Sequence, residues 1–241
     1  MNPAAAILLP GNMCDARLWD GGGELLRTAL DERAVVRADA DLTCDDSIAA
    51  IAARALAATD GPVLAIGFSM GAIVAVEMAV QAPKRVVGLV LAGYNATADL
   101  PERAAIRPLQ QAEVRAGGLE RILVEELKPN YLAQRNRDDR SLLTLLRDMG
   151  MGLGEDVFVR QSEALRLRRD RRPALRELMV PVLYLCGMES STCAASAAGP
   201  GAAATPRSGG RTRHRPTPCP CRAAASGGSD RPGCTAPDSW A

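Results

Sequence analysis

Residues 62–79, PVLAIGFSMGAIVAVEMA, decide how the rest of the chain is interpreted. The stretch begins with a short apolar run at residues 63–66, which predicts a buried strand. A tight turn, Gly67-Phe68-Ser69-Met70-Gly71, follows, and the apolar residues from Ala72 onward predict a helix. The pattern G-x-S-x-G between a strand and a helix is typical of a nucleophile elbow.

The chemistry of acyl transfer explains why an elbow would need these residues. A serine turned sharply out of a strand lies in a strained backbone conformation with other chain close by, so Gly67 and Gly71 leave room. The N–H groups of the following helix point back to where negative charge develops. The alternative is a serine that merely caps a helix after a glycine turn. The apolar flanks on both sides favour the elbow.

The order of elements along the first hundred residues predicts an α/β fold. Apolar runs at residues 4–9, 34–40 and 85–93 predict further strands, and helical patterns separate them: one with Leu18 and Trp19 that continues to about residue 30, and one at residues 48–58. This alternation indicates a mostly parallel sheet with helices on both faces. Ligands bind such sheets beyond the carboxyl ends of the strands, where Gly11 and Ser69 fall.

After Tyr94 the pattern changes. Residues 101–179 hold amphipathic helical patterns without a convincing strand, which predicts a helical cap inserted between two strands of the sheet; the alternative is a set of helices that cover the sheet. VPVLYLCG at residues 180–187 then predicts another buried strand. The predicted organisation is therefore a first part of the core at residues 1–96, a cap at 97–179, a core strand at 180–189 and a tail at 190–241.

Composition excludes several classes of function. The net charge is +1, so nothing indicates a nucleic-acid partner. No apolar run reaches the length needed to span a membrane, and the N-terminus has no basic segment of a signal peptide, so a cytoplasmic protein is expected. The cysteines of the tail have neither the spacing of a zinc site nor that of an obvious disulfide framework, and we expect no metal and no organic cofactor.

At this point the chain resembles the α/β-hydrolase superfamily, and more closely its small esterase-like members. The resemblance covers residues 5 to about 189. It rests on LLPG at residues 8–11, CDARLW at 14–19, the loop DLTCDDS at 41–47, the elbow GFSMG at 67–71 and VLYLCG at 182–187.

The resemblance implies roles for individual residues. Ser69 would be the nucleophile, and the backbone N–H groups of Met70 and Asn12 would form the oxyanion hole. Phe68 would line the acyl pocket, although a phenylalanine at this position is equally consistent with simple packing. The substrate implied is a small-molecule carboxylic ester or a related acyl compound.

The triad implied by the family lacks clear partners here. Its acid would follow the strand that ends in Cys-Gly, but Ser190 stands at that position and Glu189, one residue early, is a weak candidate. The single histidine of the chain, His214, is a weak candidate for the base, because no strand precedes it and arginines surround it. Asp99, beyond the strand that ends near Gly93, is a conceivable substitute acid.

The composition changes abruptly after Glu189. Residues 190–241 contain no Leu, Ile, Val, Met, Phe or Tyr, so the tail is expected to be disordered, because it cannot bury enough apolar surface to order itself. One explanation is a genuine basic extension. The other, which we favour, is a shifted reading frame in a GC-rich gene.

These observations leave three hypotheses for function. The first is a serine hydrolase lineage whose activity is impaired in this chain, because a serine without a base is a poor nucleophile. The second is a non-catalytic module that binds an acyl ligand. The third is an inactive product that does not fold stably. The resemblance implies a last strand and a closing helix within residues 190–241, where the sequence shows neither, and a sheet without its last strand has an exposed edge.

Overall fold

A five-stranded sheet, parallel throughout, forms the centre of the molecule. The computed structural model describes residues 3–20, 23–127 and 131–187. The strands are β1 (Ala5–Leu9), β2 (Val36–Asp39), β3 (Val63–Phe68), β4 (Val86–Ala92) and β5 (Val182–Leu185). They lie in the order β2-β1-β3-β4-β5. The predicted α/β-hydrolase type of sheet is therefore confirmed, with strand ends that differ slightly from the predicted ones.

Eight α-helices accompany the sheet in the described residues. They are α1 (Gly23–Asp31), α2 (Ile48–Ala57), α3 (Met70–Gln81), α4 (Pro101–Glu113), α5 (Leu119–Arg121), α6 (Arg140–Leu153), α7 (Glu155–Arg166) and α8 (Arg172–Glu177). Wide π-helical turns at Val114–Gly118 and Ile122–Leu127 flank α5, and 3-10 turns occupy Ala16–Trp19 and Gln134–Asn136.

One predicted helix was wrong in extent. The sequence suggested a single helix that includes Leu18 and Trp19 and continues to about residue 30, but the structure has a separate 3-10 turn followed by α1. Asp15 begins the turn by accepting a hydrogen bond from the backbone N–H of Arg17. The sequence has three consecutive glycines at residues 21–23, at the start of α1, and glycine disfavours a helix interior.

The two faces of the sheet follow the alternation of side chains along each strand. Ile7 and Leu9 of β1, with Val63 and Ala65 of β3, pack into the main core with α2 and α3. The alternate residues, including Ala6, Leu8 and Ile66, pack against α1 on the opposite face. Helix α3 is buried on all sides from Met70 to Ala79, which explains why its sequence is almost continuously apolar.

The described residues between 101 and 177 are predominantly helical, as the amphipathic patterns predicted. These helices form an apolar cluster of their own, built from residues such as Val114, Ile122 and Phe158. Met13, from the loop after β1, is a buried member of this cluster. The helical segment is thus packed directly onto the loop that follows the first strand.

Strand β5 lies at the end of the described sheet. The predicted strand is present, but the prediction that it is buried was wrong, because three of its four residues are exposed at this edge. Leu183 and Leu185 are 54% and 49% exposed, although both are large apolar residues. The predicted tail at residues 190–241 lies outside the described residues. Among the residues that the structure describes, no helix is both long enough and apolar enough to cross a bilayer.

Gly71 provides a test of how tightly helix α3 is packed. A Cβ atom added there would lie 2.0 Å from the carbonyl oxygen of Leu9, which is backbone and cannot rotate away. We therefore expect Gly71→Ala to lower the free energy of unfolding by about 3 kcal/mol or more. Urea denaturation followed by circular dichroism measures the change.

Gly152→Ala is the matched control. Gly152 lies within α6, and its added Cβ would approach nothing closer than 3.8 Å, an arginine side-chain atom. Because alanine favours helices over glycine, this variant should gain about 0.5–1 kcal/mol. Equal stability of the two variants would contradict the close packing of α3 on β1.

Candidate active site

The site lies where the order of strands reverses. Strand β1 pairs with β2 on one side and with β3 on the other, so the chain winds in opposite directions from this point. Leu9 is opposite Gly67 in the β1–β3 register. Asn12 comes three positions after Leu9, and Met70 comes three positions after Gly67. The loop after β1 and the turn after β3 therefore meet at the carboxyl edge, where ligands of open α/β sheets bind.

Ser69 has the backbone conformation of an elbow. Its φ is 52° and its ψ is −111°, a conformation that L-residues rarely adopt. Its backbone N–H donates a 2.8 Å hydrogen bond to the carbonyl of Ala92, which ties the turn to β4. Its side chain makes no capping hydrogen bond to α3. The capping interpretation is therefore not supported, and the hydroxyl is not committed to the helix.

The two glycines of the motif are required by close approaches of backbone. A Cβ atom at Gly67 would lie 2.4 Å from the carbonyl carbon and oxygen of Gly71. One at Gly71 would lie 2.0 Å from the carbonyl oxygen of Leu9 and 2.6 Å from that of Pro10. The first turn of α3 is thus pressed against both its own strand and the end of β1.

Two backbone donors flank this turn. Asn12 and Met70 are both buried, and neither backbone N–H donates a hydrogen bond within the described part of the chain. Buried backbone N–H groups are nearly always paired, so two unpaired ones beside a strained serine are notable. An oxyanion hole would need unpaired backbone donors of this kind.

Phe68 packs across the ends of two strands. Its ring lies 3.0 Å from the position of a Cβ added at Gly11 and 3.5 Å from one added at Gly93. The ring therefore lies over the backbone that follows β1 and β4 and is only partly buried. It therefore fills space between the loops that follow these two strands.

Gln161 of helix α7 holds the loop after β1 in place. Its Oε1 accepts hydrogen bonds from the backbone N–H of Met13 at 2.8 Å and from Nδ2 of Asn12 at 3.2 Å. Its Nε2 donates to the carbonyl of Leu42 at 3.1 Å. The side chain is fully buried, so these bonds form without competition from water.

Tyr131 completes this network. Its hydroxyl donates to Oδ1 of Asn12 at 3.1 Å, so both ends of the asparagine amide are bonded. Burial raises the pKa of Tyr131 well above its ordinary value, which keeps the phenol protonated as a donor. The conformation of the loop around Asn12 is therefore fixed by side chains from residues far along the sequence.

The structure brings together six of the predicted site residues: Ser69, Met70, Asn12, Phe68, Gly67 and Gly71. The candidate acid Glu189 and the candidate base His214 lie outside the described residues. Asp99 does not serve as a free acid, because its carboxylate is bonded by Arg107 at 2.6 Å and by Arg168 at 2.7 Å. The described residues contain no group of three or more side chains able to hold a metal ion.

Sequence reasoning missed Gln161 and Tyr131. A signal for Gln161 existed, because it lies three and four positions after Phe158 and Val157 on the buried face of α7. A glutamine at a core position of an amphipathic helix indicates a buried hydrogen-bond partner. Tyr131 follows no comparable pattern, since it lies in a loop.

Comparison with known proteins places the chain in a family. The model of the alpha/beta hydrolase family matches residues 6–225, and the chain belongs to that family. The matched range extends beyond about residue 189, where the resemblance of the sequence motifs to the family ends. No curated protein sequence matches the chain significantly.

Solved structures share the fold. A thermophilic esterase from Thermogutta terrifontis is 22% identical, with a TM-score of 0.64 over 78% of this chain and 72% of that one. A hydrolase from Pseudomonas aeruginosa PA01 is 20% identical, with a TM-score of 0.66 over 78% and 75%. An enol-lactonase from Burkholderia xenovorans LB400 is 19% identical, with a TM-score of 0.63 over 78% and 74%.

The role of Gln161 leads to a prediction about stability. Gln161→Ala removes three hydrogen bonds and leaves the N–H of Met13 and the carbonyl of Leu42 without this partner in the core. We expect the free energy of unfolding to fall by roughly 2–4 kcal/mol, measured by urea denaturation.

Gln81→Ala is the control, because Gln81 is an exposed glutamine at the end of α3 that also bonds a backbone carbonyl. Its loss should cost less than about 1 kcal/mol. If the two variants were equally stable, the buried network around Gln161 would not hold the loop.

Proposed function

We propose that this protein is a serine hydrolase that acts on carboxylic esters or related acyl bonds of small molecules. The observation that carries the proposal is the strained backbone of Ser69 between β3 and α3, beside the unpaired N–H groups of Asn12 and Met70. Its family and the esterase and enol-lactonase among its structural neighbours support the same class of reaction. We expect it to act in the cytoplasm without a metal or an organic cofactor.

The proposed chemistry follows the order of a serine acyl transfer. Oγ of Ser69 attacks the carbonyl carbon while its proton passes to a base, and the carbonyl oxygen becomes an oxyanion. The N–H groups of Met70 and Asn12 donate to that oxyanion, and loss of one such donor typically slows turnover by about 10²–10³-fold. The alcohol then leaves, and water releases the acid from Ser69.

The helical segment at residues 97–179 would act as a cap over this site. Its helix α7 supplies Gln161, which fixes the loop that carries Asn12. Phe68 immediately precedes Ser69, and we expect its ring to line the pocket where the acyl group of a substrate would lie. We therefore assign the shape of the acyl pocket to the cap helices and Phe68 together.

The sequence offers no clear base to accept the proton of Ser69. Its one histidine is His214, in a tail whose sequence has neither a strand pattern nor an apolar segment around it, and Ser190 replaces the acid expected after Gly187. Without a base, the hydroxyl of Ser69 stays neutral and reacts slowly. We propose that the chain has the architecture of a hydrolase and an impaired activity.

A second candidate function is a module that binds an acyl ligand without turnover. The observation that favours it is that the described residues contain no histidine. Under this hypothesis, the loop held by Gln161 and the turn at Ser69 would bind an acyl compound. Saturable binding that is unchanged in Ser69→Ala and produces no hydrolysis would distinguish it from the first.

Hydrolysis of p-nitrophenyl acetate tests the proposed impairment. The chain as written should hydrolyse this ester roughly thousands of times more slowly than a family member with an intact triad, because the base is missing. Initial rates of the wild type, Ser69→Ala, Glu189→Gln and His214→Ala are compared. A normal rate that Ser69→Ala abolishes and His214→Ala leaves unchanged would show a different base.

The nucleotide sequence tests the origin of the impairment. We expect sequencing across codons 180–195 to reveal a single-base insertion or deletion whose correction restores an acid turn, a strand and a histidine. The corrected chain should then hydrolyse the ester, and Ser69→Ala should abolish that activity. If the frame stands as written, the tail is genuine and the shifted-frame hypothesis is wrong.

A further inference from the structure

A cavity of about 290 Å³ lies where helix α7 returns to the core. Its walls come from the start of α2, the middle of α3, the end of α7 and the loop that follows α7. Ser69, Met70 and Asn12 are not among its lining residues. The cavity is therefore separate from the candidate active site, and the proposed reaction does not explain it.

The charge around this cavity is predominantly positive. Arg168, Arg169 and Arg171 line it, together with a single carboxylate, that of Glu77. Nε of Arg171 donates to Oε2 of Glu77 at 2.8 Å, so these two residues neutralise each other. The charges of Arg168 and Arg169 need other partners.

Arg168 shares its carboxylate partner with another arginine. It donates to Oδ1 of Asp99 at 2.7 Å, while Arg107 donates to Oδ2 of the same group at 2.6 Å. The side chain of Asp99 is only 1% exposed. One buried carboxylate therefore faces two guanidinium groups, which leaves an excess of one positive charge. Burial and the proximity of Arg107 lower the pKa of Arg168, although Asp99 opposes them. The guanidinium of Arg168 also donates to the backbone carbonyls of Thr97 and Leu165, so its donors are already in use.

Arg169 is an exposed residue of the cavity lining, and it makes no ion pair or hydrogen bond with the described residues. The adjacent Asp170 is engaged by Arg172 instead. The guanidinium of Arg169 thus has a full set of donors for a ligand, and its planar fork matches the two oxygens of a carboxylate.

Part of the cavity lining is apolar. Ile48 of α2, Ile73 of α3 and Ala164 of α7 are members of the main core, and Leu167 lies beside them. A cavity of this volume is at the lower end of the range for small-molecule sites. A lining that combines apolar residues with arginines favours a ligand with a short hydrocarbon chain and an anionic head over a bare inorganic ion.

We propose that this cavity binds a small carboxylate with a short apolar chain, with its head on Arg169 and its chain against Ile73 and Leu167. The site joins α2 and α3 of the core to the segment through which the cap returns. A bound ligand would therefore contact both parts of the molecule. The proposal does not depend on turnover at Ser69.

Isothermal titration of the Ser69→Ala chain with hexanoate tests the proposal, because this variant removes the proposed nucleophile. Hexanoate should bind saturably, and neither 1-hexanol, which lacks the charge, nor inorganic phosphate, which lacks the chain, should bind as tightly. Arg169→Gln should weaken hexanoate binding roughly tenfold or more, since a charged hydrogen-bond donor is lost. Ala49→Phe, at an exposed position on the cavity wall, should block binding by filling the space.

Arg27→Gln is the matched control. Arg27 is an exposed arginine on α1, which covers the opposite face of the sheet, and its substitution should change hexanoate affinity less than about twofold. Three results would overturn the proposal: no saturable binding, equal loss in the Arg27 and Arg169 variants, or phosphate binding more tightly than hexanoate. Binding that survives both Arg169→Gln and Ala49→Phe would also overturn it, by locating the ligand elsewhere, for example in front of Ser69. None of these outcomes bears on hydrolysis, which the ester assay measures separately.

Discussion

The contact between the first turn of helix α3 and the end of strand β1 is the constraint on which the rest of the structure depends. Neither Gly67 nor Gly71 has room for a Cβ atom, because backbone carbonyls lie where that atom would be. This contact fixes the direction in which α3 leaves the sheet and forces Ser69 to a positive φ. A strained backbone conformation persists only where the surrounding structure holds it in place, and here two strands and a buried helix do so.

The second half of the site depends on a different interaction. The loop after β1 is not part of a helix or a strand, so regular structure does not pair its backbone groups. The buried amide of Gln161 instead accepts a hydrogen bond from the backbone N–H of Met13 and donates one to the carbonyl of Leu42. A buried amide that is bonded at both its oxygen and its nitrogen favours one conformation, because a shift of the loop would leave polar groups unpaired. The helical insertion is thereby tied to the sheet through polar contacts as well as through the apolar cluster around Met13.

The sheet and the elbow could be predicted well from the sequence because their signals are local. Apolar runs indicated the strands, and the glycines around Ser69 indicated the turn. The hydrogen bonds of Gln161 and Tyr131 to Asn12 could not be predicted, since they join residues more than a hundred positions apart. The same limit applies to Asp99, whose position after a strand suggested an acid but whose two arginine partners come from separate segments of the chain. The tail at residues 190–241, with Glu189 just before it, stays a prediction from composition.

The separation between Asn12 and Gln161, 149 positions, has a consequence for folding during synthesis. The nascent chain can form β1 and the elbow early, but the loop after β1 gains its partner only when α7 has been made. At typical translation rates this delay is on the order of ten seconds, during which the loop and its apolar neighbours lack their final contacts. Both side chains that bond Asn12, those of Gln161 and Tyr131, nevertheless precede position 189. A single-base insertion or deletion at that point of the gene would leave unchanged the residues that build the elbow and hold the loop, and would alter only the residues made afterwards.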